Sequence, residues 1–197
     1  MLDEQDVALR AQQGDQEAFA ALVRRYEEAA FRVAYLIVRD SAEAQDVAQE
    51  AFMRAYRSIQ RFDVEQPFRP WLLRIVTNLA LNNRRGVRRR EEAGRRLERA
   101  ESVSGASSPS PEKSVLQSEE ARRVWEALGD LDEQDQAVVY LRYFLDASER
   151  ETAAAIGRPV GTVKSRLYRA LRRLRGVIEE RYPDLAPAAP EELRTKA

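Results

Sequence analysis

The chain has 197 residues, 44% of them apolar and 34% charged, with 33 basic side chains against 33 acidic ones. That balance suits a charge-rich helical protein with room for one or two domains and excludes collagen-like or wholly unfolded character. There is no cysteine and no histidine, which removes disulfides, thiolate nucleophiles, Cys/His metal sites, Ser-His-Asp triads and imidazole acid–base chemistry. The longest apolar run, Val33 to Val38, is six residues, far short of the ~20 that a membrane span needs. The Met1-Leu2-Asp3-Glu4 start lacks the basic and apolar regions of a secretory signal, so the expected location is cytoplasmic.

The zero net charge hides an arrangement. Residues 1–50 carry 5 basic and 11 acidic side chains, 51–100 carry 13 and 5, 101–150 carry 5 and 11, and 151–197 carry 10 and 6. Two basic blocks separated by an acidic one point to two contacts with a polyanion, nucleic acid before others. Of the basic residues 30 are Arg and 3 are Lys, which favours planar, bidentate contacts with phosphate or guanine.

In chain order, Gly14-Asp15 is a helix start signal. Phe19, Leu22, Val23, Tyr26 and Ala30 then recur on one helix face, predicting a helix over about 16–39. Ser41 is read as the cap of the next helix, with Val47, Ala48, Ala51, Phe52 and Ala55 inward and an acidic, polar outer face. Phe62 to Pro70 reads as a loop, with Pro70 in the first turn of a third helix that buries Trp71, Leu72, Ile75, Val76, Leu79 and Ala80. That helix ends as a basic stalk through Arg84, Arg85, Arg88, Arg89 and Arg90. Residues 91–117, rich in Ser, Gly and Pro from Ser102 to Pro111, are expected to be a flexible linker and the domain boundary.

The second domain opens with Val124, Trp125 and Leu128 on one helix. Val138, Val139, Leu141 and Tyr143 lie on the next, capped by Asp132. Ser148-Glu149-Arg150-Glu151 fits an S-x-x-E capping box before a short helix that stops at Gly157. Thr162 is then read as the cap of a helix with Val163, Leu167, Ala170, Leu171 and Leu174 inward. Small residues at the crossing, a glycine turn and an outer face of Lys164, Ser165, Arg166, Arg169, Arg172 and Arg173 describe a helix-turn-helix that suits the major groove. The tail from 179 to 197 is expected to be disordered.

Three segments together carry a family resemblance. Glu43-Ala44-Gln45-Asp46-Val47-Ala48-Gln49-Glu50-Ala51-Phe52, Phe68-Arg69-Pro70-Trp71-Leu72-Leu73-Arg74-Ile75 with Asn78, and Pro159-Val160-Gly161-Thr162-Val163-Lys164-Ser165-Arg166 resemble, in that order, sigma-70-type factors of the extracytoplasmic-function (ECF) group. The resemblance spans about residues 10–178. It implies an all-α fold of two small helical domains: sigma region 2 over 10–90 and the region 4 helix-turn-helix over 118–178, joined by the flexible linker.

It also implies a sigma factor that binds core polymerase and directs promoter recognition, with no catalytic residue, metal, cofactor or small-molecule substrate. Asp46, Gln49 and Glu50 would dock on the clamp helices of the largest polymerase subunit. Phe62, Ile75, Asn78, Leu79 and Asn82 would hold a flipped −10 base, with Arg84, Arg85 and Arg88 on phosphates near the melted strand. Lys164, Ser165, Tyr168 and Arg169 would meet −35 base edges, and Arg158, Thr162, Arg166, Arg172 and Arg173 its phosphates. Many relatives have Arg where this chain has Lys164, and Lys lacks the rigid fork. An anti-sigma factor is an implied partner; the promoters and the activating signal are not legible. Two other classes fit parts of the pattern: a dimeric operator-binding regulator, for which no sustained heptad seam is visible, and a helical adaptor that holds proteins without opening DNA.

Overall fold

The computed structural model describes residues 3–98 and 119–185, with side chains described in the first segment except at 88 and 91–98. Eight α-helices follow in chain order: α1 (Glu4–Gln12), α2 (Gln16–Val38), α3 (Ser41–Ser58), α4 (Phe68–Glu98), α5 (Glu119–Gly129), α6 (Glu133–Tyr143), α7 (Glu149–Ile156) and α8 (Val160–Arg181). Single 3₁₀ turns follow α3 at Ile59–Arg61 and α8 at Pro183–Leu185. Among the described residues there is no strand and no helix long and apolar enough to cross a membrane.

The helix starts are set by short polar side chains that take up otherwise orphaned amides. Asp15 accepts from the Ala18 amide at 3.0 Å, and that bond, with Arg10 beside it, holds its carboxyl below the ordinary value. For α3 the cap is Asp40, whose carboxylate accepts from Glu43 N at 2.8 Å, and not Ser41, which is already the first helical residue. Asp132 caps α6 through two amides, and Ser148 forms the full reciprocal capping box with Glu151 on α7. The expected Thr162 cap is also displaced. The Pro159 ring fixes the entry, helix α8 begins at Val160 with no side-chain cap, and Thr162 lies inside the first turn.

Helices α2, α3 and α4 form a bundle around Leu22, Val33, Ile37, Leu72, Leu73 and Val76, all essentially sealed from solvent. Four alanines on α3, Ala44, Ala48, Ala51 and Ala55, are its buried small residues and let the partner helices approach closely. Within α4 the buried stripe is Leu72, Leu73, Val76 and Ala80, while Trp71, Ile75 and Leu79 are half-buried. The helix continues to Glu98, beyond the expected linker start at residue 91; the Ser-, Gly- and Pro-rich heart of that linker lies outside the described residues.

The α1 helix is an addition to the sequence reading, which begins the first domain at about residue 10. It buries Val7, Ala8 and Ala11. Its Gln12 amide donates to the carbonyls of Ile59 at 2.8 Å and Phe62 at 2.5 Å, tying the turn after α3 to the N-terminus. Its Glu4 carboxylate accepts from the Phe68 amide at 2.8 Å, serving as a remote cap for α4, and from the Tyr26 hydroxyl. Burial first and Glu4 second push the Tyr26 hydroxyl above its ordinary value, so it stays a donor at any physiological pH.

Helices α5–α8 form the second domain around Leu128, Val138, Leu141, Val163 and Ala170. Its end is more ordered than the expected tail. Tyr182 donates to Glu126 at 2.9 Å and Asp184 pairs with Arg123 at 2.5 Å, so the chain is fastened through residue 185. Residues 186–197 lie outside the described residues. The two domains are packed on each other, with α7 along α4 and α6 against α2.

Because Glu4 satisfies two groups from different helices, Glu4→Ala is expected to lower unfolding free energy by about 2 kcal/mol. Glu4→Gln, which keeps an acceptor, should lose about half of that; urea unfolding followed by circular dichroism measures both.

Candidate nucleic-acid interface

The turn between α7 and α8 is the most tightly specified local feature. Gly157 adopts φ 68°, ψ 40° as the left-handed stop of α7, a conformation that costs a side-chain-bearing residue strain that glycine avoids. A second constraint acts there: a Cβ on Gly157 would lie 3.1 Å from the Arg74 guanidinium of α4. The turn then leads into α8, which buries Val163 and Ala170 and turns its other side outward.

The basic residues of α8 divide into two groups that sequence spacing could not separate. Arg166, expected as a phosphate contact, turns back into the domain and pairs with Asp135 at 2.8 Å and Asp132 at 3.6 Å. Arg173 approaches the same two carboxylates at 3.8 Å. Burial and the nearby Asp132 charge push the Asp135 carboxyl above its ordinary range, opposed by Arg166. A carboxylate 9% exposed requires such cationic partners, so Arg166 is bound to the α6–α8 packing.

The other group faces solvent. Arg169 is exposed and touches only the Ser165 carbonyl of its own helix at 3.3 Å, Tyr168 is 69% exposed, and Ser165 is exposed. Lys164 is exposed and held by Glu149 of α7 at 3.0 Å. Arg172 has no acidic partner among the described residues, and Arg158 is exposed at the turn. Half-buried Thr162 sits in the first turn, its amide bonded to the Pro159 carbonyl at 2.9 Å.

On α4, exposed Asn78 and Asn82 line a polar cleft of about 240 Å³ with Arg74, Arg85 and Thr77. Its far wall is the second domain: Gln134, Ala137 and the Ile156-Gly157-Arg158 turn. The expected wall of the flipped-base site is only partly there. Phe62 is 6% exposed and packed at 5.5 Å from Phe68 and 4.8 Å from Trp71, so its ring is closed to a base in this conformation. Ile75 and Leu79 are half-buried against the bundle core. Arg84 donates to Gln136 of the second domain at 2.5 Å, and Arg85 pairs with Glu133 at 2.9 Å. The side chain of Arg88 lies outside the described residues.

A third surface lies on the other side of the bundle. Val23, Phe31, Ala48 and Phe52, with Glu27, Glu28, Gln45 and Gln49 around them, line a shallow groove of about 490 Å³ between α2 and α3. Asp46 is exposed beside it, and Glu50 is held by Arg54 at 2.7 Å. The sequence reading found the polar residues of this surface; Phe31 and Phe52 gain significance only once α2 and α3 are seen side by side.

The two helical domains coincide with matches to known proteins. Residues 22–90 match sigma-70 region 2, and residues 121–174 match sigma-70 region 4. The chain is 38% identical over 178 residues to the RNA polymerase sigma-H factor of Pseudomonas aeruginosa, covering 86% of this chain and 92% of that protein. It is 33% identical over 174 residues to the ECF RNA polymerase sigma factor SigW of Bacillus subtilis, covering 84% and 91%. The solved structure of CnrH in complex with the cytosolic domain of CnrY is similar at a TM-score of 0.65 and 28% identity, over 90% of this chain and 98% of that one.

Two helical DNA-facing modules in this order define a transcription initiation factor, which is not an enzyme by itself. The chain belongs to the sigma-70 family of RNA polymerase sigma factors, within the extracytoplasmic-function group.

The two classes of α8 arginine should respond oppositely to truncation. Arg166→Ala leaves Asp135 buried with weaker pairing and is expected to cost about 2 kcal/mol of stability. Arg169→Ala should change stability by less than about 0.5 kcal/mol; thermal unfolding of the two variants distinguishes them.

Proposed function

We propose that this sigma factor grips a promoter at two places, with α4 on the melted −10 element and α8 on the duplex −35 element, while the α2–α3 groove seats core polymerase. The observation that carries this reading is the outward face of α8. Behind a capped helix and a glycine turn, Lys164, Ser165, Tyr168 and Arg169 stand exposed on one helix. A major groove admits such a helix, and Lys or Arg there donates to guanine edges. Arg158 and Arg172 then lie toward the phosphates, adding affinity and salt dependence more than sequence choice. Arg166 takes no part, because Asp135 holds it.

On α4, the Asn78 and Asn82 amides supply donors and acceptors for the edge of an extruded base, with Leu79 and Ile75 as the apolar floor between them. Arg84 and Arg85 supply phosphate contacts once they leave Gln136 and Glu133. Gln49, Asp46 and Glu50 edge an apolar groove, and an amphipathic partner helix, such as a clamp helix of the polymerase, lays its apolar face into grooves of this kind. The polymerase then fixes the spacing of two contacts that are weak alone. Catalysis belongs to the polymerase, and the place of action is the cytoplasm where the polymerase resides. CnrH was solved with the cytosolic domain of CnrY; by that likeness an anti-sigma factor is the expected negative regulator.

Run-off transcription with core RNA polymerase, on promoters mapped from a genomic library, tests the assignment. Arg169→Ala is expected to lower initiation by about tenfold through closed-complex affinity, the loss of one base contact. Asn78→Ala should instead leave closed-complex affinity intact and reduce permanganate reactivity of the −10 thymines. No start sites above core alone, under conditions where a known initiation factor works, would overturn the reading.

A further inference from the structure

The segment between α3 and α4 leads into the helix proposed for the −10 strand, and both of its ends are held by α1. At the near end the Gln12 side-chain amide directs its two hydrogens at the carbonyls of Ile59, at 2.8 Å, and Phe62, at 2.5 Å. The exposed Gln60 amide returns a bond to the Gln12 carbonyl. At the far end one Glu4 oxygen accepts from the Phe68 amide at 2.8 Å, and the other accepts from the Tyr26 hydroxyl. Between these ties the backbone makes its own turn, with the Gln66 amide on the Asp63 carbonyl at 2.9 Å and the Glu65 amide on the Asp63 carboxylate at 3.1 Å.

What the ties position is aromatic. Phe62 and Phe68, buried at the two roots of the segment, lie 5.5 Å apart, and both pack on Trp71, at 4.8 Å and 5.4 Å. Tyr26, the other partner of Glu4, lies 5.8 Å from Phe68. Trp71 is four residues before Ile75 on α4 and so its neighbour on the same side of the helix. Ile75, with Leu79, is the proposed apolar floor between Asn78 and Asn82. A continuous run of contacts therefore leads from Gln12 and Glu4 to that floor. A site that discriminates between ligands needs its groups held to within about 0.5 Å by neighbours that are themselves locked.

We infer that α1 is a brace for promoter reading: Gln12 and Glu4 are positioning residues that act through Phe62, Phe68 and Trp71 to fix the side of α4 that captures a −10 base. The inference rests on the assignment of α4 to the −10 element. Neither residue touches the base. Phe62 is then a strut beneath the site and not its wall, which is why its ring is closed. Without the brace the segment and Trp71 can shift, and the loss falls first on discrimination between bases, the property that depends most on exact placement.

The test uses the full chain with core RNA polymerase in run-off transcription. Templates carry a promoter mapped for the unaltered chain, either intact or with one −10 base substituted, and the readout is the ratio of initiation on the two. A smaller folded fraction scales both templates alike and leaves that ratio unchanged. In the unaltered chain it should be about tenfold or more, the usual effect of one mismatched base pair. Gln12→Met keeps the length of the side chain and removes both donors. Its −10 ratio is expected to fall below about threefold, while the ratio for a substituted −35 base stays at the unaltered value. Val33→Ala truncates the core on α2 and leaves the α1 bonds in place; it should keep the full −10 ratio. Gln60→Ala, an exposed change that removes one bond of the set, should narrow the ratio in part, and it carries the test if Gln12→Met fails to fold.

An unchanged −10 ratio in Gln12→Met, with Asn78→Ala reducing it, would overturn the brace while the promoter assignment stands. A fall of the same size in Val33→Ala, or at −35 as well as −10, would overturn it too, because the loss would then follow stability. If Asn78→Ala also leaves the −10 ratio intact, it is the assignment of α4 that fails, and the brace fails with it.

Discussion

Arginine from one domain meeting oxygen and aromatic faces of the other is the interaction on which the architecture depends. The chain has equal numbers of acids and bases, yet the basic block containing α4 and the acidic block containing α6 and the start of α7 are placed against each other. Arg69, Arg84 and Arg85 lie in the former; Glu133, Gln136 and Glu151 lie in or beside the latter. Alternation of charge along the sequence therefore has a second meaning beyond affinity for a polyanion. It is also internal complementarity.

The same economy appears inside the second domain. Helix α8 must present cations outward while its inner side packs on α6, and the two demands are divided residue by residue. Arg166 and Arg173 neutralise Asp132 and Asp135, while Arg169 and Arg172 remain available. Glu151 shows a related double role. Burial alone would raise its carboxyl, but the bonds from Ser148 and Arg69 outweigh that and hold it below its ordinary value. One carboxylate closes the capping box of α7 and receives an arginine from the other domain.

Local signals carried the sequence reading wherever the cause was local. Asp15, Asp132, the Ser148–Glu151 box and the left-handed Gly157 all act within a few residues of themselves, and the structure has them as read. Choosing between Asp40 and Ser41 needed the backbone angles, since both are good caps one residue apart. Helix α1 is nine residues long, too short to announce itself, and is held by long-range bonds from Gln12 and Glu4. At the candidate sites, residue types were legible but their freedom was not. Phe62 is closed off by two aromatic neighbours, Arg166 by a carboxylate 31 positions earlier, and Arg84 by a glutamine in the other domain. Spacing on one helix says which side a residue takes; it says nothing of what a second helix places opposite.

The far end of α8 has a mechanical consequence. A 22-residue helix is a rod of about 33 Å. Its C-terminal end is clasped to α5 and to the loop that follows it by Arg181 with Asp130, Tyr182 with Glu126, and Asp184 with Arg123. Its N-terminal half carries Lys164, Ser165, Tyr168 and Arg169, the side chains proposed for the groove. The pitch at which they would meet a duplex is therefore governed by leverage from three polar pairs about 20 Å along the rod, and small edits there would re-aim the helix without altering any of those four residues.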